Sequence, residues 1–287
     1  MILTSHSSRS TFKSCKRKYH YIYVRGLEPE HKSKALRMGT GWSIALEHGP
    51  QAMTDYYGEL MMKCAEWDLS SIEHELKILE ALESTYPYRY NEVREAEFRH
   101  IGSGFEDRGQ LDGLLSSGNR YTIVENKLFA RFSGMDQEKL EFDDQVTSYV
   151  AGLSRGEVEG YEDSIDVGLI DVLYNVTLKP ALRKKKGRGS TPPETDKEFT
   201  NRCVQDIIAN PDRYHLQFKT SRSQEAVDEF IERRKKHVAD LMYEEKMDVW
   251  ERNPSACFEY GQCPFLKICR SPHDDIPDGY MRREERK

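Results

Sequence analysis

Two short segments, Gly109–Leu115 and Tyr121–Glu125, constrain this chain more than anything else in it. Only Ser116-Ser117-Gly118-Asn119 separates them, and a run of turn formers between two apolar, β-prone stretches predicts an antiparallel hairpin. Arg94–Ile101 predicts a third strand and Val167–Thr177 a fourth, the latter rich in β-branched residues. A lone hairpin is barely stable in water, so these strands need a shared sheet with covered faces. Helical patterns supply the cover. Thr40–His48 predicts a short helix ended by Gly49-Pro50, with a second helix running to Lys63. Ser71–Ser84 places Ile72, Leu76, Leu79 and Leu82 on one face. Asp136–Leu153 and Glu198–Ile208 predict helices, and Tyr214–Lys219 predicts a strand. Ser221-Arg222-Ser223-Gln224 reads as a capping box opening a long helix to Trp250, with Asn253-Pro254 as its stop. Helices on both sides of a mixed sheet predict an α/β fold with helical additions at both ends. The 287 residues suffice for one domain: a helical part over 1–90, an α/β core over 91–220, a long helix with a Cys-rich segment over 221–275, and a tail over 276–287.

Composition excludes some classes of function. No run approaches the roughly 18 apolar residues of a membrane span, and charged residues reach 32%. The opening MILTSHSSRS lacks the apolar core of a secretory signal, so a cytoplasmic location and free thiols are expected. A net charge of −6 argues against a polyanionic partner, but the charge is segregated. Residues 1–27 hold Arg9, Lys13, Lys16, Arg17, Lys18 and Arg25 without one acid. Residues 179–189, KPALRKKKGRG, add six positive charges inside a loop expected to be mobile over 179–196. Screening over about 8 Å lets a ligand feel the local patch rather than the total. These two segments keep a nucleic-acid partner open. No base-reading motif is present, so any contact is to phosphates and independent of sequence.

The hairpin also carries the chemistry. Alternation along a strand turns Glu125 and Lys127 to one face and Asn126 to the other. With Asp112 on the neighbouring strand, two carboxylates and an ammonium converge. Such a pair suits Mg²⁺ or Mn²⁺, and a lysine beside it can hold or deprotonate a water and contact a phosphate. The Glu-x-Lys triplet alone says little, because about seven acid-x-base triplets arise by chance in this composition. Its weight comes from the apolar strand before it and from glycine-flanked Asp112 across the turn. Gln145 and Tyr149, four residues apart, share one face of the following helix.

A second cluster lies in the cysteines. Three of the six, Cys257, Cys263 and Cys269, fall within thirteen residues of a Gly- and Pro-containing loop. Cys64 and Cys203 read as packing residues. Thiolates gathered in a chain without disulfides point to a metal group, and four of them fit either Zn²⁺ or an iron–sulfur cluster. Cys15, between Phe12 and Tyr19, is the candidate fourth ligand.

The order Asp112, Glu125-x-Lys127, Gln145-x-x-x-Tyr149 resembles the PD-(D/E)XK nuclease superfamily in its RecB-like branch. Met38-Gly39-Thr40 resembles the glycine that opens that family's first helix. One early cysteine with three late ones resembles the iron–sulfur subgroup, which includes AddB-type nuclease domains and CRISPR-associated exonucleases. The resemblance implies a restriction-endonuclease-like core and an exonuclease acting on single-stranded or end-containing DNA. It also implies that Asp112 and Glu125 hold the catalytic metal, Lys127 serves the attacking water, and Gln145 and Tyr149 brace the site. Cys15, Cys257, Cys263 and Cys269 would hold a [4Fe–4S] cluster.

Two features depart from the pattern. Spacing of the last three cysteines differs from the AddB form, and Ser43 stands where the family has a metal-binding histidine. On a helix, Glu47 lies about 40° round from Ser43 and His48 about 140°. Glu47 is therefore the residue able to approach the metal. Ser43 also leaves room for two other readings: a DNA-end or partner-binding module of the same fold without catalysis, and a zinc-stabilised binding protein with a chance Glu-x-Lys.

Overall fold

The computed structural model describes residues 2–89, 94–102, 104–187, 192–259, 261–271 and 276–283. The chain opens with β1 (Ile2–Thr4), α1 (His6–Ser14) and α2 (Lys16–Tyr19), which runs into one π-helical turn at His20–Val24. β2 (Leu27–Pro29) leads to three helices, α3 (Lys34–His48), α4 (Pro50–Lys63) and α5 (Glu66–Ser84). Three strands follow, β3 (Arg94–Gly102), β4 (Phe105–Ser117) and β5 (Arg120–Phe129), then α6 (Gly134–Glu141) and α7 (Asp144–Ser154). After β6 (Ile170–Leu178) come α8 (Asp196–Ala209), α9 (Pro211–Tyr214) and β7 (His215–Ser221). The chain ends with α10 (Gln224–Met247), α11 (Leu266–Arg270) and β8 (Tyr280–Arg282).

The strands form one mixed sheet in the order β1-β4-β5-β6-β7, with β3 also on β4, while β2 and β8 pair separately. β4 and β5 are the predicted hairpin, closed by Gly118-Asn119, where Gly118 takes the φ of +61° that favours glycine. Their pairing runs only from Ser117↔Arg120 to Gly113↔Val124. Beyond it the strands part, and β5 continues alongside parallel β6 from Tyr121↔Ile170 to Phe129↔Leu178. Asp112 and Glu125 are therefore the first residues past the last rung.

Two hydrophobic cores sandwich the sheet. On one side Val146, Val150 and Leu153 of α7 and Val227 and Phe230 of α10 pack on Phe98, Ile123, Val172 and Val176. The other side carries Trp42, Tyr57, Leu79, Cys203 and Ile207, from α3, α4, α5 and α8. Cys64 joins this second core as well, in keeping with a packing role. This is the α/β architecture expected, and no helix among the described residues is long and apolar enough to cross a membrane.

Several boundaries differ from expectation. The helix expected over Asp136–Leu153 is two helices, because Asp143 leaves the helical path to cap α7, its side chain accepting from the Gln145 N–H at 2.8 Å. α3 begins six residues before Thr40, capped by Ser33, so Gly39 lies inside the helix rather than opening it. α10 is capped by Ser223 alone, since Ser221 is still the last residue of β7. That helix stops at Met247, where Asp248 turns left-handed at φ +54°, and Asn253-Pro254 instead opens a 3-10 turn over Pro254–Cys257. Within the basic loop, the Lys185 N–H donates to Glu194 at 2.8 Å, and Arg202 of α8 holds the same carboxylate at 2.8 Å. The described parts of that loop are thus pinned to α8, while residues 188–191 lie outside the described residues.

Candidate active site

A cleft of about 650 Å³ opens where β4 and β5 part, walled by α3 on one side and α7 on the other. Asp112, Glu125, Lys127 and Gln145 all line it. The Asn126 backbone N–H donates to Asp112 at 2.8 Å, a hydrogen bond that ties the separated strands together. Lys127 Nζ lies 2.7 Å from Glu125 Oε1 and 3.6 Å from Asp143 Oδ2, and it donates to Gln145 Oε1 at 2.8 Å. Gln145 Nε2 in turn donates to the Tyr149 hydroxyl at 2.9 Å. Tyr149 reaches that position because Gly109 of β4 has no side chain; a Cβ there would sit 3.0 Å from its ring. All five residues expected at the site from the sequence are thus linked through one hydrogen-bonded or charged neighbourhood.

Burial dominates the electrostatics. Glu125 is 2% exposed, and desolvation pushes its carboxyl up to about 8 against the pull of Lys127. Asp112 is raised for the same reason, although the Asn126 hydrogen bond and Lys127 oppose it. Burial also lowers Lys127, but Glu125, Asp143 and Asp112 together outweigh it and leave the ammonium raised. Glu125 Oε2 is buried with no hydrogen-bond partner among the described residues. A buried carboxylate oxygen without a donor is costly, and a hard cation is a natural complement to it.

Glu47, from the last turn of α3, lines the cleft beside Ser43, and its charge contributes to raising Asp112. It also accepts weakly from Gln110 at 3.4 Å. His48 lies outside the cleft-lining set, exposed and 3.3 Å from Glu47. Gly39 lines the cleft, and a Cβ on it would meet nothing.

Residues not anticipated from the sequence complete the surroundings. Asp143 is one. His6 is another: burial lowers its imidazole, and Asp143 and Lys127 are among the charges it feels. On the opposite face of β5, Asn126 Oδ1 accepts from Tyr86 at 2.9 Å and from Asn175 at 3.0 Å. The doubled Asp143-Asp144 before an apolar run was a usable cap signal for the first of these. His6 and Tyr86 reach the site only through the tertiary fold.

Cys15 and the three late cysteines lie where the start of the chain meets its C-terminal segment. The Asn253 side chain donates to the Ser14 carbonyl at 2.7 Å, and Arg17 reaches the Trp250 carbonyl at 2.7 Å. These bonds bring the approach to Cys257 against the α1–α2 junction, where Cys15 sits. Burial pushes the Cys263 thiol up, and Cys257 and Cys15 stand near enough to add to the effect. Cys263 and Cys269 both pack on the small core of Tyr21, Leu27, Phe265 and Ile268. Among the described residues, no three His, Cys, Asp or Glu side chains are drawn together to hold one metal ion.

No curated protein matches the chain in sequence. Among solved structures, one from Eubacterium rectale named "Putative exonuclease" superposes with a TM-score of 0.52 at 11% identity, covering 96% of this chain and 90% of that one. At that identity the likeness is one of fold. The family model for the PD-(D/E)XK nuclease superfamily matches residues 4–270. Cleft and sheet thus meet a match that spans nearly the whole sequence, and the chain belongs to the PD-(D/E)XK nuclease superfamily.

Proposed function

We propose that the protein is a metal-dependent deoxyribonuclease, working as an exonuclease, with Asp112 and Glu125 as ligands for Mg²⁺ or Mn²⁺. The observation that carries this reading is the Oε2 of buried Glu125, without a partner among the described residues, in a cleft shared with Asp112 and Lys127. Oxygen donors only, one of them without a donor of its own, fit a hard divalent cation. When bound, that cation supplies positive charge to a phosphate and lowers the pKa of a water. Lys127 does the remaining local work. Its ammonium, aimed by Gln145 and Asp143, meets a phosphate oxygen or holds the attacking water at Nζ. Tyr149, locked against Gly109, fixes Gln145 and through it the lysine. The name of the Eubacterium rectale neighbour supports exonuclease over other nuclease activities.

We further propose that Cys15, Cys257, Cys263 and Cys269 hold a [4Fe–4S] cluster in the same protein, with Zn²⁺ as the competing occupant. The nearness of Cys15 and Cys257 to Cys263 supports a shared site. Four thiolates binding across a loop this long would make cluster binding part of the folding energy.

The test is cleavage of end-labelled single- and double-stranded DNA with Mg²⁺ or Mn²⁺. Wild type is expected to degrade DNA from an end, and Asp112→Asn to lose at least about a hundredfold in rate. No cleavage of either substrate, or equal cleavage by Asp112→Asn, overturns the reading. Brown colour with absorption near about 400 nm after anaerobic purification supports the cluster, and a colourless zinc-loaded protein overturns it.

A further inference from the structure

A second cavity, of about 590 Å³, lies between the end of α1, the middle of α10 and the segment after α10. It shares no lining residue with the carboxylate cleft. Its walls carry Lys13, Lys16, Arg233, Lys236 and Arg252 against only Asp240 and Glu251. Internal partners account for part of that charge: Lys16 pairs with Glu244, while Lys13 and Arg233 share Asp144, both at 2.9 Å. Lys236 and Arg252 are exposed and enter no ion pair among the described residues. The cavity therefore presents unspent positive charge to solvent.

Its position connects it to the cleft. Asp144, held by two residues of the cavity wall, directly follows Asp143, which lies 3.6 Å from Lys127. Just before them in the chain Phe142 is 82% exposed, an aromatic ring left in water next to the Asp143–Asp144 pair. A basic groove with an exposed aromatic is how proteins hold an unpaired strand without reading its sequence: charge tracks the backbone and the ring stacks a base.

We propose that this cavity is a phosphate subsite for the single-stranded polynucleotide whose scissile phosphate enters the carboxylate cleft, with Phe142 stacking a base between the two. The assignment rests on the nuclease reading and adds to it a strand path and a single-stranded substrate. Lys236 and Arg252 supply the phosphate contacts; Phe142 supplies a contact that salt does not screen.

The experiment measures binding of a long oligothymidylate in EDTA across a salt series, for wild type, Lys236→Gln/Arg252→Gln and Phe142→Ala. All three positions are exposed, so the variants are not expected to unfold. Loss of two phosphate contacts is expected to weaken binding about tenfold at low salt and to reduce the slope of log K against log salt by about 1.4. Phe142→Ala is expected to weaken binding about fivefold or more with the slope unchanged. Affinity and slope unchanged in the double variant overturn the subsite. Wild-type cleavage together with that result leaves the nuclease reading standing. Absence of both binding and cleavage in wild type overturns both.

Discussion

Glu125 illustrates how the site is set residue by residue. Strand alternation puts it on the face of Lys127, and parting of β4 from β5 leaves one carboxylate oxygen buried without a partner among the described residues. Burial raises this carboxyl to about 8 and makes its ionised form costly, and a cation bound at Oε2 would offset that cost. Ser43 and Glu47, one helical turn apart, line the same wall, which places the Glu47 carboxylate on the cleft beside the proposed metal ligands. Glu47→Gln is expected to raise the metal concentration for half-maximal activity about tenfold, with a smaller effect at saturating metal. An unchanged metal titration would remove Glu47 from the site. Asp112, Glu125 and Lys127 were legible in the sequence because one tight turn joins their strands and alternation decides their faces. Asp143 was hidden by reading one helix through it, and His6 by its distance along the chain.

At the scale of elements, α1 matters most. In the basic first segment, read as a surface for nucleic acid, Arg9, Lys13, Lys16 and Arg17 are tied to partners within the protein. Arg9 is 5% exposed and pairs with fully buried Asp107 of β4, which Arg234 of α10 also approaches at 3.5 Å. Thr4 of β1 donates to the same carboxylate at 3.0 Å. This knot fastens β1 and α1 to the sheet and so brings His6 within the field of Asp143 and Lys127, and Lys13 to Asp144. Arg9→Ala strips Asp107 of its close partner and is expected to cost about 3–5 kcal/mol, measured by urea denaturation. A cost below about 1 kcal/mol would show the knot to be dispensable. Sequence patterning found the long amphipathic helices, and missed β1, α1 and α2 because short elements leave no periodicity to read.

Over the whole molecule, two buried histidines make folding sensitive to acid. Burial pushes His215 and His237 each down to about 4. Above pH 6.5 both are neutral in the folded and unfolded states, so nothing is lost there. As pH falls from 6.5 toward 4 the unfolded chain takes up protons that the folded chain refuses, and stability drops. At pH 5 the loss is about 2 kcal/mol for each histidine. His215, bound to Thr85 at 3.1 Å and Thr177 at 3.3 Å, joins α5 to β6. His215→Asn is expected to flatten the fall in urea midpoint between neutral pH and pH 5, and an equally steep fall would show the acid response to lie elsewhere. Cys257→Ala is expected to lower melting temperature and remove colour together, because the proposed cluster would join the two ends of the chain. A variant that stays coloured and equally stable would exclude Cys257 as a ligand.

What the sequence determined by itself was short in range: the hairpin, the faces of its strands, and so the pairing of two carboxylates with a lysine. Those follow from alternation and one turn, which need no distant partner. Tertiary structure decided the fate of the charges. Arg9 and Asp107 are 98 residues apart, and Lys13 and Asp144 are 131 apart. Whether a basic residue meets solvent or a buried acid depends on which segments dock together and how much water they exclude. Charge pattern along the chain does not encode that, and only the folded molecule shows Lys236 and Arg252 exposed and without an ion pair among the described residues.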